Sequence, residues 1–136
     1  MKRPYLFFVT LSIVFMTALA HAGFDQKVAL KIGQAEKLAG GMSVKFVEIV
    51  EDSRCPEGAT CIWAGRAIVR IEVTENGSEP RIVDFEVGNI ESTARFGKFV
   101  VKAEKLDPYP KAESQTDKAA YSATLSIERA GKQQCE

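Results

Sequence analysis

Apolar side chains recur at every second position along most of this chain, in short runs, and that periodicity restricts the fold more than any other property. Val28, Leu30 and Ile32 alternate with lysines and small residues, and Val44 and Phe46 do so within MSVKFVEIV. Ala67, Val69, Ile71 and Val73 follow in RAIVRIEVT, then Val83, Phe85 and Val87 in RIVDFEV. Phe99, Val101 and Ala103 alternate in KFVVKAEKL, and Tyr121, Ala123, Leu125 and Ile127 in YSATLSIER. A strand sends successive side chains to opposite faces, so each run reads as a strand with one face on a core. The runs are rich in β-branched and aromatic types and are bounded by Gly, Pro, Asn or Asp. The only stretch with helical leanings, Gln34–Ala39, is too short for more than a turn or an edge strand. Strands with one apolar face must pack sheet on sheet. The expectation is an all-β fold of about six to eight mostly antiparallel strands, an immunoglobulin-like β-sandwich or a partly closed barrel.

One hairpin can be read to its register. RAIVRIEVT and RIVDFEV are joined by Glu75-Asn76-Gly77-Ser78-Glu79-Pro80. A two-residue Asn-Gly turn would set Val69 against Asp84 and Ala67 against Glu86, apolar face to polar face. A three-residue loop, Glu75-Asn76-Gly77, moves the register by one, which turns every side chain over. Val69 then faces Val83, Ala67 faces Phe85 and Arg66 faces Glu86, with Gly77 supplying the left-handed residue of a bulged loop. Leu106–Lys118 (LDPYPKAESQTDK) is the longest polar stretch. Its Asp-Pro and Tyr-Pro steps exclude helix. It reads as a crossover between sheets or as a recognition loop presenting Tyr109.

The N-terminus limits compartment and chemistry. Lys2 and Arg3 precede an almost wholly apolar run from Tyr5 to Leu19, and Ala20-His21-Ala22 fits a small-x-small cleavage site. Residues 1–22 therefore read as a secretory signal peptide, leaving 23–136 as a single β-sandwich domain in the periplasm or outside the cell. The apolar run is short for a spanning helix, so no stable membrane insertion is expected. Cleavage removes two of the 18 basic residues and none of the 18 acidic ones. A slightly acidic mature chain argues against nucleic acid as a partner. His21, the single histidine, leaves with the leader. Ser-His-Asp and Cys-His catalysis, histidine metal sites and CxxCH haem attachment go with it. The expectation is a protein that is not an enzyme and has no cofactor or metal site.

The chain's rarest residues gather in DSRCPEGATCIWAG, Asp52 to Gly65, which holds two of the three cysteines and the only tryptophan. Pro56 and Gly58 bend the chain between Cys55 and Cys61, and in an oxidising compartment a disulfide is the default. The ring is small, so the bridge contributes only about 2.4 kcal/mol by loop entropy and acts as a local staple. Cys135, in the terminal GKQQCE, could be a free thiol, a cross-link to a second chain, or the true partner of Cys55 or Cys61. That longer closure would contribute about 4.5 kcal/mol, but the short ring closes first and most often. Redox work is disfavoured, because C-x5-C is not C-x-x-C and only Arg54 stands near to lower a thiol pKa. Trp63 is large and two residues past Cys61, so burial against the bridge is the first expectation. If exposed instead, it would form a recognition rim with Arg54 and Arg66.

The pattern D-S-R-C-P-x4-C-x-W-A-G resembles a signature of small secreted proteins and lipoproteins of bacteria, a family without an assigned function. Leu106-Asp107-Pro108-Tyr109-Pro110 and the closing YSATL strand fit the same outline. The resemblance implies an exported β protein of the bacterial cell envelope and carries no activity. Many such proteins look lipidated; this chain lacks the lipobox cysteine, so the resemblance does not extend to a lipid tether. The reading is a non-catalytic binding module whose partner is a protein or envelope component. Its candidate contacts are Arg54, Pro56, Glu57, Trp63, Arg66 and Tyr109. The alternatives are a protease inhibitor presenting the Cys55–Cys61 loop and a structural envelope protein with no discrete ligand site.

Overall fold

A computed structural model describes residues 25–131. The signal-peptide assignment and Cys135 lie outside the described residues. Eight strands form two four-stranded antiparallel sheets. In chain order they are β1 (Asp25–Lys31), β2 (Ala35–Lys37), β3 (Met42–Asp52), β4 (Ala67–Glu75), β5 (Arg81–Glu86), β6 (Thr93–Phe96), β7 (Phe99–Asp107) and β8 (Ser122–Arg129). One sheet runs β1-β8-β7-β6 and the other β2-β3-β4-β5. Neighbours thus follow chain order around the molecule and return from β8 to β1, as in an up-and-down barrel. No strand ladder joins β1 to β2 or β5 to β6, so the fold is a sandwich rather than a barrel. It has no Greek-key connection, and its likeness to an immunoglobulin domain ends at the two-sheet layering.

The expected apolar faces form the core. Phe46, Val69, Ile71, Phe85, Val101, Leu125 and Ile127 are at most 1% exposed. Two strands keep charge out of that core by breaking their own alternation. β3 shifts register between Phe46 and Glu48 and again between Ile49 and Glu51. Strict alternation from Phe46 would point Glu48 inward; the bulge turns Glu48 out and packs Ile49 against the core instead. In β7 a shift between Ala103 and Lys105 leaves Lys105 outside and buries Leu106.

The β4–β5 hairpin differs from its expected register by two residues. Val69 faces Phe85 and Ile71 faces Val83; the expected pairs were Val69 with Val83, Ala67 with Phe85 and Arg66 with Glu86, whereas Glu86 lies opposite Ile68. The apolar faces match either way. Asn76 and Gly77 both have positive φ, 44° and 74°, and the Ser78 amide donates to the Glu75 carbonyl at 2.7 Å. The turn is therefore Asn-Gly, and the extra residue is absorbed after it, in Ser78–Pro80. Pro80 has no N–H to give a ladder, so the irregularity falls there. The observed register also places Arg70 opposite Asp84. Arg70 Nε and Nη2 donate to the two carboxylate oxygens at 2.8 and 2.9 Å, and the guanidinium holds the Asp84 carboxyl below its usual range.

The stretch after Leu106 is not a crossover. β7 and β8 are adjacent in one sheet, so residues 108–121 are a long hairpin connection, with a 3-10 turn at Lys118–Ala120. It folds across the end of the sandwich toward the other sheet.

Candidate binding surface at the disulfide loop

The β3–β4 connection leaves the sandwich at the end that the β7–β8 loop covers. Its two arms stay zipped beyond the strands: the Ser53 amide donates to the Arg66 carbonyl at 2.8 Å and the Cys55 amide to the Ala64 carbonyl at 3.0 Å. The arms approach so closely that a Cβ on Gly65 (φ +68°) would lie 1.7 Å from the Ser53 carbonyl oxygen. Glycine is required there. Past the zipped arms, Cys55 and Cys61 close a disulfide ring with Cα atoms 5.9 Å apart. The Ala59 amide donates to the Pro56 carbonyl inside it.

The ring rests on the β7–β8 loop. The Glu57 amide donates to the Pro110 carbonyl at 2.9 Å, and the Ala112 amide to the Glu57 carbonyl at 3.0 Å. Arg54 makes the stronger tie. Its Nε and Nη2 donate to the two oxygens of Asp52 at 2.7 and 2.8 Å. Nη1 donates to the Leu106 carbonyl at 2.8 Å and Nη2 to that of Pro108 at 3.3 Å. The guanidinium carbon stands 4.9 Å from the centre of the Tyr109 ring, a cation–π distance. The Tyr121 hydroxyl donates to Asp52 Oδ2 at 3.1 Å. Burial would raise the Asp52 carboxyl; Arg54 and the Tyr121 hydroxyl outweigh it and hold the group below its ordinary value. The Arg54 and Asp52 side chains are each only 12% exposed. Arg54 is thus a clamp between the two sheets and not the freely exposed contact expected of it.

Trp63 corrects the other main expectation. The residue is 79% exposed, and Ile62 beside it is 87% exposed. It is not buried against the bridge and does not plug the sandwich, whose interior Phe46, Phe85 and Phe96 already fill. Arg54, Pro56, Trp63 and Arg66 line one shallow groove of about 520 Å³ together with Cys61 and Glu51. Arg66 pairs with Glu51 at 3.2 Å across its edge. Glu57 and Tyr109 lie outside the groove: Glu57 lines a separate hollow with Lys111 and Ser114, and Tyr109, 43% exposed, lies beside Arg54. Four of the six candidate residues are therefore brought together. Asp52, Ile62 and Tyr121 were not singled out from the sequence. Asp52, two residues from Arg54 on an extended segment, could have been; the Tyr121 contact is long-range and has no local signal.

Among the described residues no group of His, Cys, Asp and Glu could hold a metal ion. No helix there is long and apolar enough to cross a membrane. No protein-family model, curated protein or solved structure matches the chain.

Proposed function

We propose that the protein is an exported, non-catalytic binding module of the bacterial envelope, engaging a protein or envelope component through the rim of its disulfide loop. The observation that carries this reading is the adjacent pair Ile62 and Trp63, 87% and 79% exposed. Large apolar side chains side by side in water are costly unless something covers them. Their segment is also fixed beforehand: the zipped arms, the Cys55–Cys61 bridge and the Arg54 clamp limit the entropy lost on binding. Tryptophan beside Arg66 is the composition that binding hot spots favour.

The same geometry weighs against an inhibitory loop. A protease reads an extended backbone with free donors and acceptors. Here the amide and carbonyl of Glu57 are already bonded to the β7–β8 loop, and Pro56 to Ala59 is folded into a turn.

The test compares wild type with Trp63→Ala and Ile62→Ser as cross-linking baits in the native envelope. Both variants should melt within about 0.5 kcal/mol of wild type, as exposed substitutions do. A partner recovered by wild type should be lost from both. A set of cross-linked products identical for all three proteins contradicts the reading.

A further inference from the structure

β3 is paired on both sides for only half its length. β2 lies opposite Ser43–Lys45, and the chain arriving from β1 then closes against Phe46: the Gly33 amide donates to the Phe46 carbonyl, and the Phe46 amide to the Gln34 carbonyl. From Val47 to Asp52 the strand has β4 on one side and, among the described residues, no strand on the other. A cleft of about 510 Å³ lies along this open edge. Ile32, Ile49, Ala119 and Tyr121 give it apolar walls, and Thr116 and Lys118 belong to its rim.

We propose that this open half of β3 takes an extended polypeptide segment of another protein as an added strand. Its alternate side chains enter the cleft. An unpaired edge offers backbone donors and acceptors at strand spacing, which only an extended peptide satisfies, and the cleft beside it supplies side-chain pockets. The proposal is independent of the disulfide-loop reading.

The occupant follows by charge. A second copy pairing antiparallel along the whole open edge, Val47 opposite Asp52, would set Glu48 against Glu51, and like charges directly opposed are unfavourable. On the cleft itself, Glu48 is engaged by Arg70 and Asp52 by Arg54, whereas Lys118 has no ion pair among the described residues. The incoming strand therefore alternates apolar with neutral polar residues and carries an acidic residue where it passes Lys118.

The probe is a fluorescent hexapeptide alternating valine and threonine and ending in glutamate. It is also made in two N-methylated forms, each blocking one alternate set of amides. An added strand pairs through one set only. Saturable binding is expected, weakened at least tenfold by one N-methylated form and little by the other. Ala119→Trp, which fills the cleft from an exposed position, should weaken binding at least tenfold without lowering the melting temperature. Trp63→Ala should leave it unchanged, and amide exchange over Val47–Glu51 should slow with peptide bound. Absence of saturable binding, equal loss with both N-methylated forms, wild-type binding by Ala119→Trp or loss of binding in Trp63→Ala would each overturn the proposal.

Discussion

The Arg54 guanidinium spends its hydrogen bonds inside the molecule, on Asp52, Leu106 and Pro108. Arg54→Met would leave a largely buried carboxylate without its guanidinium partner and remove a side-chain donor from two carbonyls. The expected cost is about 3 kcal/mol, measured by denaturant unfolding. Asp52 carries the matching pH dependence. Its native pKa lies below the ordinary 3.8, so its contribution is complete above that value and is lost as pH falls through the depressed native value. Melting temperatures from neutral pH to about pH 2 should therefore fall more steeply for wild type than for Asp52→Asn, with the divergence confined to below roughly pH 4. The sequence made the loop legible as a unit, because Cys, Pro and Trp are concentrated there. It did not reveal which side chain faces inward. Residue type points Trp63 in and Arg54 out, and the fold does the reverse. A guanidinium with four acceptors can be satisfied inside, while the core is already filled by Phe46, Phe85 and Phe96.

At the scale of elements, alternation located nearly every core position, and its failures are the bulges. Nothing local says that β3 must slip between Phe46 and Glu48; the slip answers the cost of facing Glu48 into the core. β6 was missed because Thr93–Phe96 has only Ala94 and Phe96 as its apolar signal. The hairpin register was right in parity and wrong by two residues, because the Arg70–Asp84 pair and Pro80 act across the ladder. Two glycines make this checkable. Gly77→Val should cost about 1 kcal/mol or more, since a β-branched residue resists positive φ, although no atom stands within 4 Å of its added carbon. Gly65→Ala adds a backbone clash to the same strain and should cost more than about 3 kcal/mol. Equal unfolding free energies for the two variants would contradict the zipped-arm geometry.

Over the whole molecule, two sheets with no strand ladder across either seam are tied across their ends. At one end the tie is the Asp52–Arg54–Tyr121 network. Near the other, the Arg81 guanidinium carbon stands 4.7 Å from the centre of the Phe96 ring, linking β5 to β6. The disulfide shapes the loop more than it holds the sandwich, so replacing Cys55 and Cys61 by alanine should cost no more than about 2.4 kcal/mol and leave unfolding cooperative. What this frame presents is Trp63, and its exposure is the central claim. Because it is the only tryptophan, acrylamide quenching of the purified protein reads it without interference. Native and unfolded protein should be quenched almost equally, with red-shifted emission in both. Blue-shifted native emission protected several-fold from quencher would place the indole inside and contradict the account.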